Sequence, residues 1–214
     1  MLKPTATAAL ASLLLLTGIS PAEAQIVEPR PRVILQVGGN ITLPVGELAS
    51  TGLENSGFAT TSVGFQARGC YSLTRKLALF AGMVNPRFGY DRLAIEDISG
   101  DDVGDAVQRF SILNAGLRLV LSDNGERISY FQAGLGRYRF EDDPAVEGLP
   151  LEAEDDPFFG YCIGAGIMNR HLGLGLDMTF EYHSSRVLFL NGIEIDANWL
   201  TASIMIGIPL GEVR

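Results

Sequence analysis

The chain has 214 residues, of which 47% are hydrophobic and 19% are charged, and 25 of them are glycine. This composition excludes a disordered chain and allows one domain with a sizeable core. The formal net charge of −9 argues against nucleic acid as a partner.

The N-terminus has the pattern of a secretory signal peptide. Lys3 supplies a positive charge, residues 8–19 form an apolar run, and residues 22–24 (Ala-Glu-Ala) match an A-x-A cleavage site. We therefore predict a signal peptide over residues 1–24 and a mature domain over residues 25–214. The mature sequence has no run of about 18 or more apolar residues, so no spanning helix is expected.

Apolar residues alternate with small or polar ones in eight successive segments of the mature sequence, which is the period of a β-strand. The alternation is clearest over residues 171–183, where one parity is apolar and the other carries Asp177, Glu181 and His183. In chain order, the predicted strands cover approximately residues 32–43, 58–72, 77–90, 106–121, 128–140, 157–168, 171–183 and 199–210.

The connections between the predicted strands alternate between long and short. The four long connections hold 18 of the 25 acidic residues, whereas the three short ones carry Arg75, Lys76, Arg127 and Arg170. Short turns alternating with longer loops between an even number of antiparallel strands are typical of outer-membrane barrels. The sequence therefore predicts an all-β fold, an eight-stranded antiparallel up-and-down transmembrane β-barrel with acidic external loops.

Alternation alone does not decide which face of the sheet lies inside, and a soluble lipocalin-like barrel would put the apolar face inside. Two features favour the membrane. The polar face consists mostly of glycine, serine, threonine, asparagine and glutamine, which suits the crowded lumen of an eight-stranded barrel. Aromatic residues also lie near predicted strand ends, which resembles the girdles at the membrane interfaces. These residues are Tyr71, Phe88, Tyr90, Phe110, Tyr130, Phe158, Phe159, Tyr182 and Trp199.

Two predicted strands carry arginines whose facing matters. In the third strand, the alternation puts Phe88 on the apolar face and Asn85 and Arg87 in the lumen. In the fifth strand, Arg137 and Arg139 share a face with apolar residues, so the facing of this strand stays open. A bulge within the strand would reverse it.

The pattern over residues 32–210 resembles the small eight-stranded outer-membrane barrels of the OmpX and OmpA-transmembrane type. The segments GFQARGCYSL, YFQAGLGRYRF, GYCIGAG and LDMTFEYH are similar to their strands. The resemblance implies a monomer in the outer membrane of a Gram-negative cell envelope, inserted by the barrel assembly machinery and in contact with outer-membrane lipid and lipopolysaccharide. Such barrels usually end on an aromatic residue, whereas here the last strand ends in Ile-Pro-Leu.

Charged residues on the lumen-facing parity need partners, because a closed lumen buries them. Arg68 and Arg118 are the predicted partners of Asp177 and Glu181, and His183 lies on the same face. We favour a buried ion-pair network of these five residues. The alternative interpretation is an acid/base set.

A catalytic alternative rests on His183 and Ser185, which have the His-x-Ser spacing of lipid A deacylases built on eight-stranded barrels. Glu194 or Asp196 would supply the acid of a triad. The asparagine that usually follows the serine in those enzymes is absent. The acidic clusters at residues 101–102 and 154–156 lack the spacing of a defined calcium site, so neither a metal nor a cofactor is predicted.

The favoured function is therefore that of a small, non-enzymatic outer-membrane barrel with a plugged polar lumen and a structural or surface-interaction role. A lipid A-modifying acyl hydrolase and a narrow pore or carrier for small solutes are the alternatives. Cys70 and Cys162 are predicted to stay unpaired, because strands two and six lie on opposite walls of a ring of eight and a disulfide needs Cα atoms within about 7 Å.

Overall fold

The computed structural model describes residues 30–50, 59–89, 91, 107–141, 157–171, 173–188 and 194–213. The predicted signal peptide and the acidic clusters at residues 101–102 and 154–156 lie outside these residues. Within the described part of the chain, no helix is long and apolar enough to cross a membrane. The helical segment seen there is a short 3-10 turn, Gly46–Ala49.

The described strands form one closed antiparallel sheet. Their bounds are β1 Arg30–Val45, β2 Ser62–Ser72, β3 Leu77–Asn85, β4 Arg87–Gly89, β5 Val107–Asp123, β6 Arg127–Glu141, β7 Phe158–His171, β8 Leu174–Leu188 and β9 Glu194–Val213.

Strands that follow each other in the chain pair with each other, except for β3 and β4, and β9 pairs with β1 to close the sheet. β3 and β4 are two parts of one barrel strand, interrupted at Pro86, and both pair with β5. The result is the eight-stranded up-and-down barrel that the sequence predicts. We call the end of the barrel that carries the long connections the external end.

The outward face of the sheet is an apolar belt. On β8, Leu176, Met178 and Phe180 are exposed, whereas Asp177 and Glu181 on the other parity are fully buried. A closed sheet with charges inside and apolar side chains outside matches a lipid surround. The belt comprises Leu35, Val37, Ile41, Val63, Phe65, Leu79, Met83, Leu113, Leu117, Leu135, Phe159, Tyr161, Ile163, Leu174, Leu176, Met178, Phe180, Ile204, Ile206 and Ile208.

The structure settles the facing of β6, which the sequence leaves open. The register between β5 and β6 shifts between Val120 and Ser122, so the irregularity lies in β5. Because β6 itself is regular, its alternation continues to the external end. Arg137 and Arg139 face outward and are exposed, while Tyr138 between them is buried in the lumen.

The predicted facing of the third strand is wrong. Val84 and Phe88 lie inside the barrel with at most 1% exposure, and Asn85 and Arg87 fall on the outward parity. The register fixes this facing, because Val84 lies opposite the inward-facing Gln66 of β2. The sequence does not reveal it, since this strand has apolar residues on both faces.

The predicted aromatic girdle is also wrong for several of its members. An eight-stranded barrel leaves a lumen that side chains must fill, and this chain fills the external part of it with rings. Tyr71 and Phe159 do lie on the outer surface, and Tyr90 is outside the described residues. The predicted girdle residues that are instead buried in the lumen, with at most 1% exposure, are Phe88, Phe110, Tyr130 and Trp199.

β8 and β9 extend well into the segment that the sequence assigns to a loop, residues 184–198. β8 continues to Leu188 and β9 begins at Glu194. Ser185 pairs with Ala197 across the two strands. Strand alternation, rather than a free loop, therefore sets the facing of each candidate residue in this segment.

Candidate functional site in the barrel lumen

Glu181 on β8 is the centre of a polar layer in the middle of the lumen. Arg68 Nη2 on β2 donates to both carboxylate oxygens, at 2.7 and 2.9 Å. Gln132 Nε2 on β6 donates to Oε1 at 2.7 Å, and Gln66 Nε2 on β2 donates to Oε2 at 3.1 Å. The Arg68 and Glu181 side chains are both 0% exposed, so this ion pair is buried.

Asp177, four residues before Glu181 on β8 and on the same inward face, holds a second group of partners. The Tyr130 hydroxyl donates to Oδ1 at 2.6 Å, and Gln36 Nε2 donates to Oδ2. Arg118 Nη1 lies 3.6 Å from Oδ2. The guanidinium group of Arg118 also stacks on the Tyr130 ring, 3.8 Å from its centroid.

The two groups are joined by shared glutamines. Arg118 donates to Gln132 Oε1 at 3.0 and 3.1 Å and to Gln36 Oε1 at 3.3 Å. Gln132 bonds Glu181 and Gln36 bonds Asp177, so two arginines and two carboxylates balance in one network. Charges in a low-dielectric interior are stable only when paired and hydrogen-bonded in this way. The network therefore ties β8 to β1, β2, β5 and β6 through the lumen.

An aromatic layer lies between this network and the external end. Trp199 on β9 stacks on His183 at a centroid distance of 5.4 Å and an angle of 10°. Its ring centroid lies 5.0 Å from that of Phe110 and 5.7 Å from that of Tyr138. Phe88 packs edge-on against Phe110 at 5.7 Å. The rings of Phe88, Phe110, Tyr138 and Trp199 belong to one buried hydrophobic cluster, whose other members are Leu48, Ala59, Val84, Ile112, Phe140, Val187, Ile195 and Ala197.

The structure brings four of the five predicted network residues together, and it separates the fifth. Arg68, Arg118, Asp177 and Glu181 contact one another through the bonds above. His183 belongs to the aromatic layer, where its Nδ1 lies 3.3 Å from the Tyr138 hydroxyl. The alternation of β8 puts all of these side chains inward, but His183 lies one step nearer the external end.

The structure does not assemble the alternative triad. His183 and Ser185 both face the lumen and are buried, and the Ser185 hydroxyl donates to the Arg186 carbonyl at 3.3 Å. Glu194 accepts a hydrogen bond from Arg186 Nη1 at 3.2 Å, and its side chain is 55% exposed. Asp196 also pairs with Arg186, at 3.4 Å. The acids therefore lie on the outer face and the histidine and serine on the inner one.

Two network residues, Tyr130 and Gln132, are not predicted from the sequence. Gln132 and Tyr130 lie on the strand whose facing is open, and Tyr130 is assigned there to the membrane interface. The sequence feature that indicates their inward facing is the unbroken alternation of β6, which places Tyr130, Gln132 and Tyr138 on one parity. An unbroken alternation over this strand places both residues in the lumen.

The two thiols lie on the lumen face and are free, as predicted. Cys70 Sγ donates to Gln36 Oε1 at 3.3 Å, and Cys162 Sγ accepts from Asn114 Nδ2 at 3.7 Å. Both are buried. They belong to a second apolar cluster together with Ile34, Phe80, Ile128, Tyr130 and Met168.

The fold is similar to solved outer-membrane barrels. Neisserial surface protein A aligns with a TM-score of 0.55 and 12% identity, over 83% of this chain and 97% of that one. The outer membrane protein OprG from Pseudomonas aeruginosa aligns with a TM-score of 0.54 and 11% identity, over 84% and 96%. No protein-family model and no curated protein matches the chain.

At such low identities the likeness establishes the fold and not the activity. The chain has the fold of a small eight-stranded outer-membrane β-barrel. The apolar belt agrees with that assignment, because barrels of this kind cross the outer membrane with an outward apolar band. The fold and the belt together place the chain in an outer membrane.

Proposed function

We propose that this small outer-membrane β-barrel is a closed, non-enzymatic protein with a structural or surface-interaction role. The observation that carries the proposal is the pair of buried layers in the lumen. The Arg68–Glu181 and Arg118–Asp177 network fills the middle of the barrel, and the aromatic cluster around Trp199 fills the part above it. An ion that followed the barrel axis would have to displace both layers.

The same observation argues against a narrow pore. Channels of the porin type have larger strand numbers, which leave an aqueous lumen, whereas eight strands leave room only for side chains. The two carboxylates at this position are held by Arg68, Arg118, Tyr130 and three glutamines. Opening a path would break a buried ion pair, which leaves an uncompensated charge behind.

The geometry offers no support for the acyl hydrolase, since the candidate acids and the His183–Ser185 pair lie on opposite faces of the sheet. We infer that the partners of the protein are outer-membrane lipid, lipopolysaccharide and the barrel assembly machinery, and that it acts as a monomer. The acidic composition of the long connections supports a role at the cell surface.

Single-channel recording in planar lipid bilayers tests the proposal. The purified, folded protein is expected to give no steady conductance, while a general porin in the same bilayer serves as the positive control. Steady conductance from the wild type would support the pore instead. Release of acyl chains from lipid A, abolished by Ser185→Ala, would support the hydrolase.

A further inference from the structure

Several buried polar atoms in the described part of the lumen have no hydrogen-bond partner among the side chains and backbone groups of the protein. Buried polar groups are nearly always hydrogen-bonded, so each exception needs a physical explanation. We call these atoms the unpaired lumen atoms, and the residues that carry them are at most 5% exposed. They are Asn40 Nδ2, Arg68 Nε, Arg68 Nη1, Asn114 Oδ1, His183 Nε2, Trp199 Nε1 and Thr201 Oγ1.

The strand register places these atoms where the polar network meets the aromatic layer. Thr201 on β9 is directly opposite Glu181 on β8. The next inward pair of the same two strands, one step nearer the external end, is Trp199 and His183. Arg68 reaches this level from β2, because its Nη2 bonds both carboxylate oxygens of Glu181. Four of the residues with unpaired atoms therefore lie on or beside the inner face of β8 and β9.

Asn40 on β1 and Asn114 on β5 reach the same level from other walls of the barrel. Asn40 Oδ1 accepts a hydrogen bond from Thr42 Oγ1 at 3.2 Å, and Thr42 is directly opposite the threonine of β9. Asn114 Nδ2 donates to Cys162 Sγ at 3.7 Å, and Cys162 is directly opposite the histidine of β8. The unpaired lumen atoms therefore surround one region of the lumen, whose walls carry several short side chains.

The unpaired lumen atoms include both donors and acceptors. Arg68 Nε and Nη1, Asn40 Nδ2 and Trp199 Nε1 carry N–H donors. Asn114 Oδ1 is an acceptor only, and the Thr201 hydroxyl can both donate and accept. A ligand that satisfies all of these atoms must itself donate and accept hydrogen bonds.

His183 adds a second acceptor, because its tautomer follows from its neighbours. The Tyr138 hydroxyl has one proton, which it donates to the Tyr161 carbonyl at 3.1 Å. In the contact of 3.3 Å between Tyr138 and His183 Nδ1, the donor is then the Nδ1–H group. The Nε2 atom of a neutral imidazole with a protonated Nδ1 carries a lone pair.

We propose that a small cluster of ordered water molecules binds between the polar network and the aromatic layer. Buried waters make about three hydrogen bonds each to polar groups that the protein leaves unpaired, and a water molecule takes up only about 30 Å³ in the liquid. A halide or another small anion would satisfy the N–H donors and leave Asn114 Oδ1 and His183 Nε2 unpaired. The inference rests on the proposed closed lumen and adds a water site within it.

The single tryptophan of the chain allows a direct test by NMR. The protein is labelled isotopically at the tryptophan nitrogen atoms and folded into phospholipid nanodiscs, so that one indole N–H signal reports on the site. We expect a cross-peak between this N–H proton and water in spectra that separate direct cross-relaxation from chemical exchange. Absence of the cross-peak would overturn the water site. So would its loss in Thr201→Val, because the signal would then come from the hydroxyl proton alone.

The stability of Thr201→Val distinguishes a hydrated hydroxyl from a dry one, because valine keeps the shape of threonine and removes only the hydroxyl. If water binds this hydroxyl, the loss of a hydrogen bond should raise the unfolding constant about fivefold, measured by urea titration in lipid vesicles. Thr42→Val is the matched control, since it removes the bond to Asn40 Oδ1 and should change the constant by a similar factor. An unfolding constant of Thr201→Val equal to or below that of the wild type would overturn the proposal.

Halide exchange separates water from an anion at the same site. The indole N–H chemical shift should stay the same when chloride in the buffer is replaced by bromide. A saturable change of the shift with bromide concentration would overturn the water cluster in favour of an anion.

Folding of each form is checked by the shift on unheated SDS gels, and the NMR measurement on the wild type keeps the test decisive if a variant does not fold. Conductance is recorded on the same preparations. A silent barrel without the water cross-peak would overturn the water site alone. A wild type that conducts would overturn the proposed closed barrel, and the enclosed water cluster with it.

Discussion

Glu181 shows how a single carboxylate can organise the interior of a small barrel. It accepts hydrogen bonds from one guanidinium group and two amides, all from strands that do not neighbour its own in the barrel. Gln132 also accepts from Arg118 and Gln66 accepts from Ser203, so removing the carboxylate disturbs both amides as well as Arg68. Most of the lost stability would come from Arg68, which would remain as a buried cation without a counter-charge.

The substitution Glu181→Gln keeps the shape of the side chain and removes its charge. Stranding a buried cation costs about 3–5 kcal/mol, and we expect the free energy of unfolding, measured by urea titration in lipid vesicles, to fall by that amount. Glu194→Gln is the matched control, because it breaks an exposed ion pair with Arg186 that is worth about 0–1 kcal/mol. Equal losses in the two variants would show that the lumen network contributes nothing beyond a surface pair.

At the level of the strands, neighbouring glycines on β1 have opposite surroundings. Gly38 is on the inward parity, and a Cβ added there would overlap the Ile204 carbonyl oxygen and lie 2.6 Å from Met205 Cα. Gly39 is on the outward parity, and its nearest contact would be the Gly64 carbonyl oxygen at 3.8 Å. The backbones of β9 and β1 approach each other closely at Gly38 because the sheet of a narrow barrel is strongly curved.

Gly38→Ala should therefore destabilise the barrel, whereas Gly39→Ala should not. Forcing a methyl group against the backbone of a neighbouring strand costs about 1–3 kcal/mol, and an outward alanine stays within about 0.5 kcal/mol of the wild type. Urea unfolding in lipid vesicles measures both. A Gly39→Ala loss as large as that of Gly38→Ala would contradict the inward and outward assignment of β1.

The strands also show where sequence reasoning succeeds and where it fails. The facing of β8 is predicted correctly, although not its bounds, because its two faces differ strongly in polarity, with Asp177, Thr179 and Glu181 opposite an apolar row. The third barrel strand is misjudged because residues on both of its faces are apolar, so periodicity cannot orient it. Its facing comes from the register with β2 and β5, which only the closed sheet determines. The bulge in β5 is likewise not predictable from the sequence, because it is defined by the register between β5 and β6.

At the scale of the whole molecule, the barrel is predictable from the repeated alternation and from the rhythm of long and short connections. The ion pairs of the lumen are also predictable in kind, since buried charges need partners. The aromatic layer is not, because a ring near a strand end satisfies a membrane interface and a narrow lumen equally well. Trp199 illustrates the ambiguity: its sequence position fits a girdle, whereas the structure buries it completely beside His183.

The chain contains a single tryptophan, which makes fluorescence the most direct test of the closed lumen inside an apolar belt. The protein is folded into vesicles whose acyl chains carry bromine, a contact quencher of indole. Trp199 lies inside the barrel wall with 0% exposure, so its emission should stay close to that in unbrominated vesicles, and acrylamide should quench it weakly. The control variant W199F/F180W places the indole in the apolar belt, where bromine should quench most of its emission. Quenching of Trp199 by brominated lipid as strong as that of the control would contradict the account.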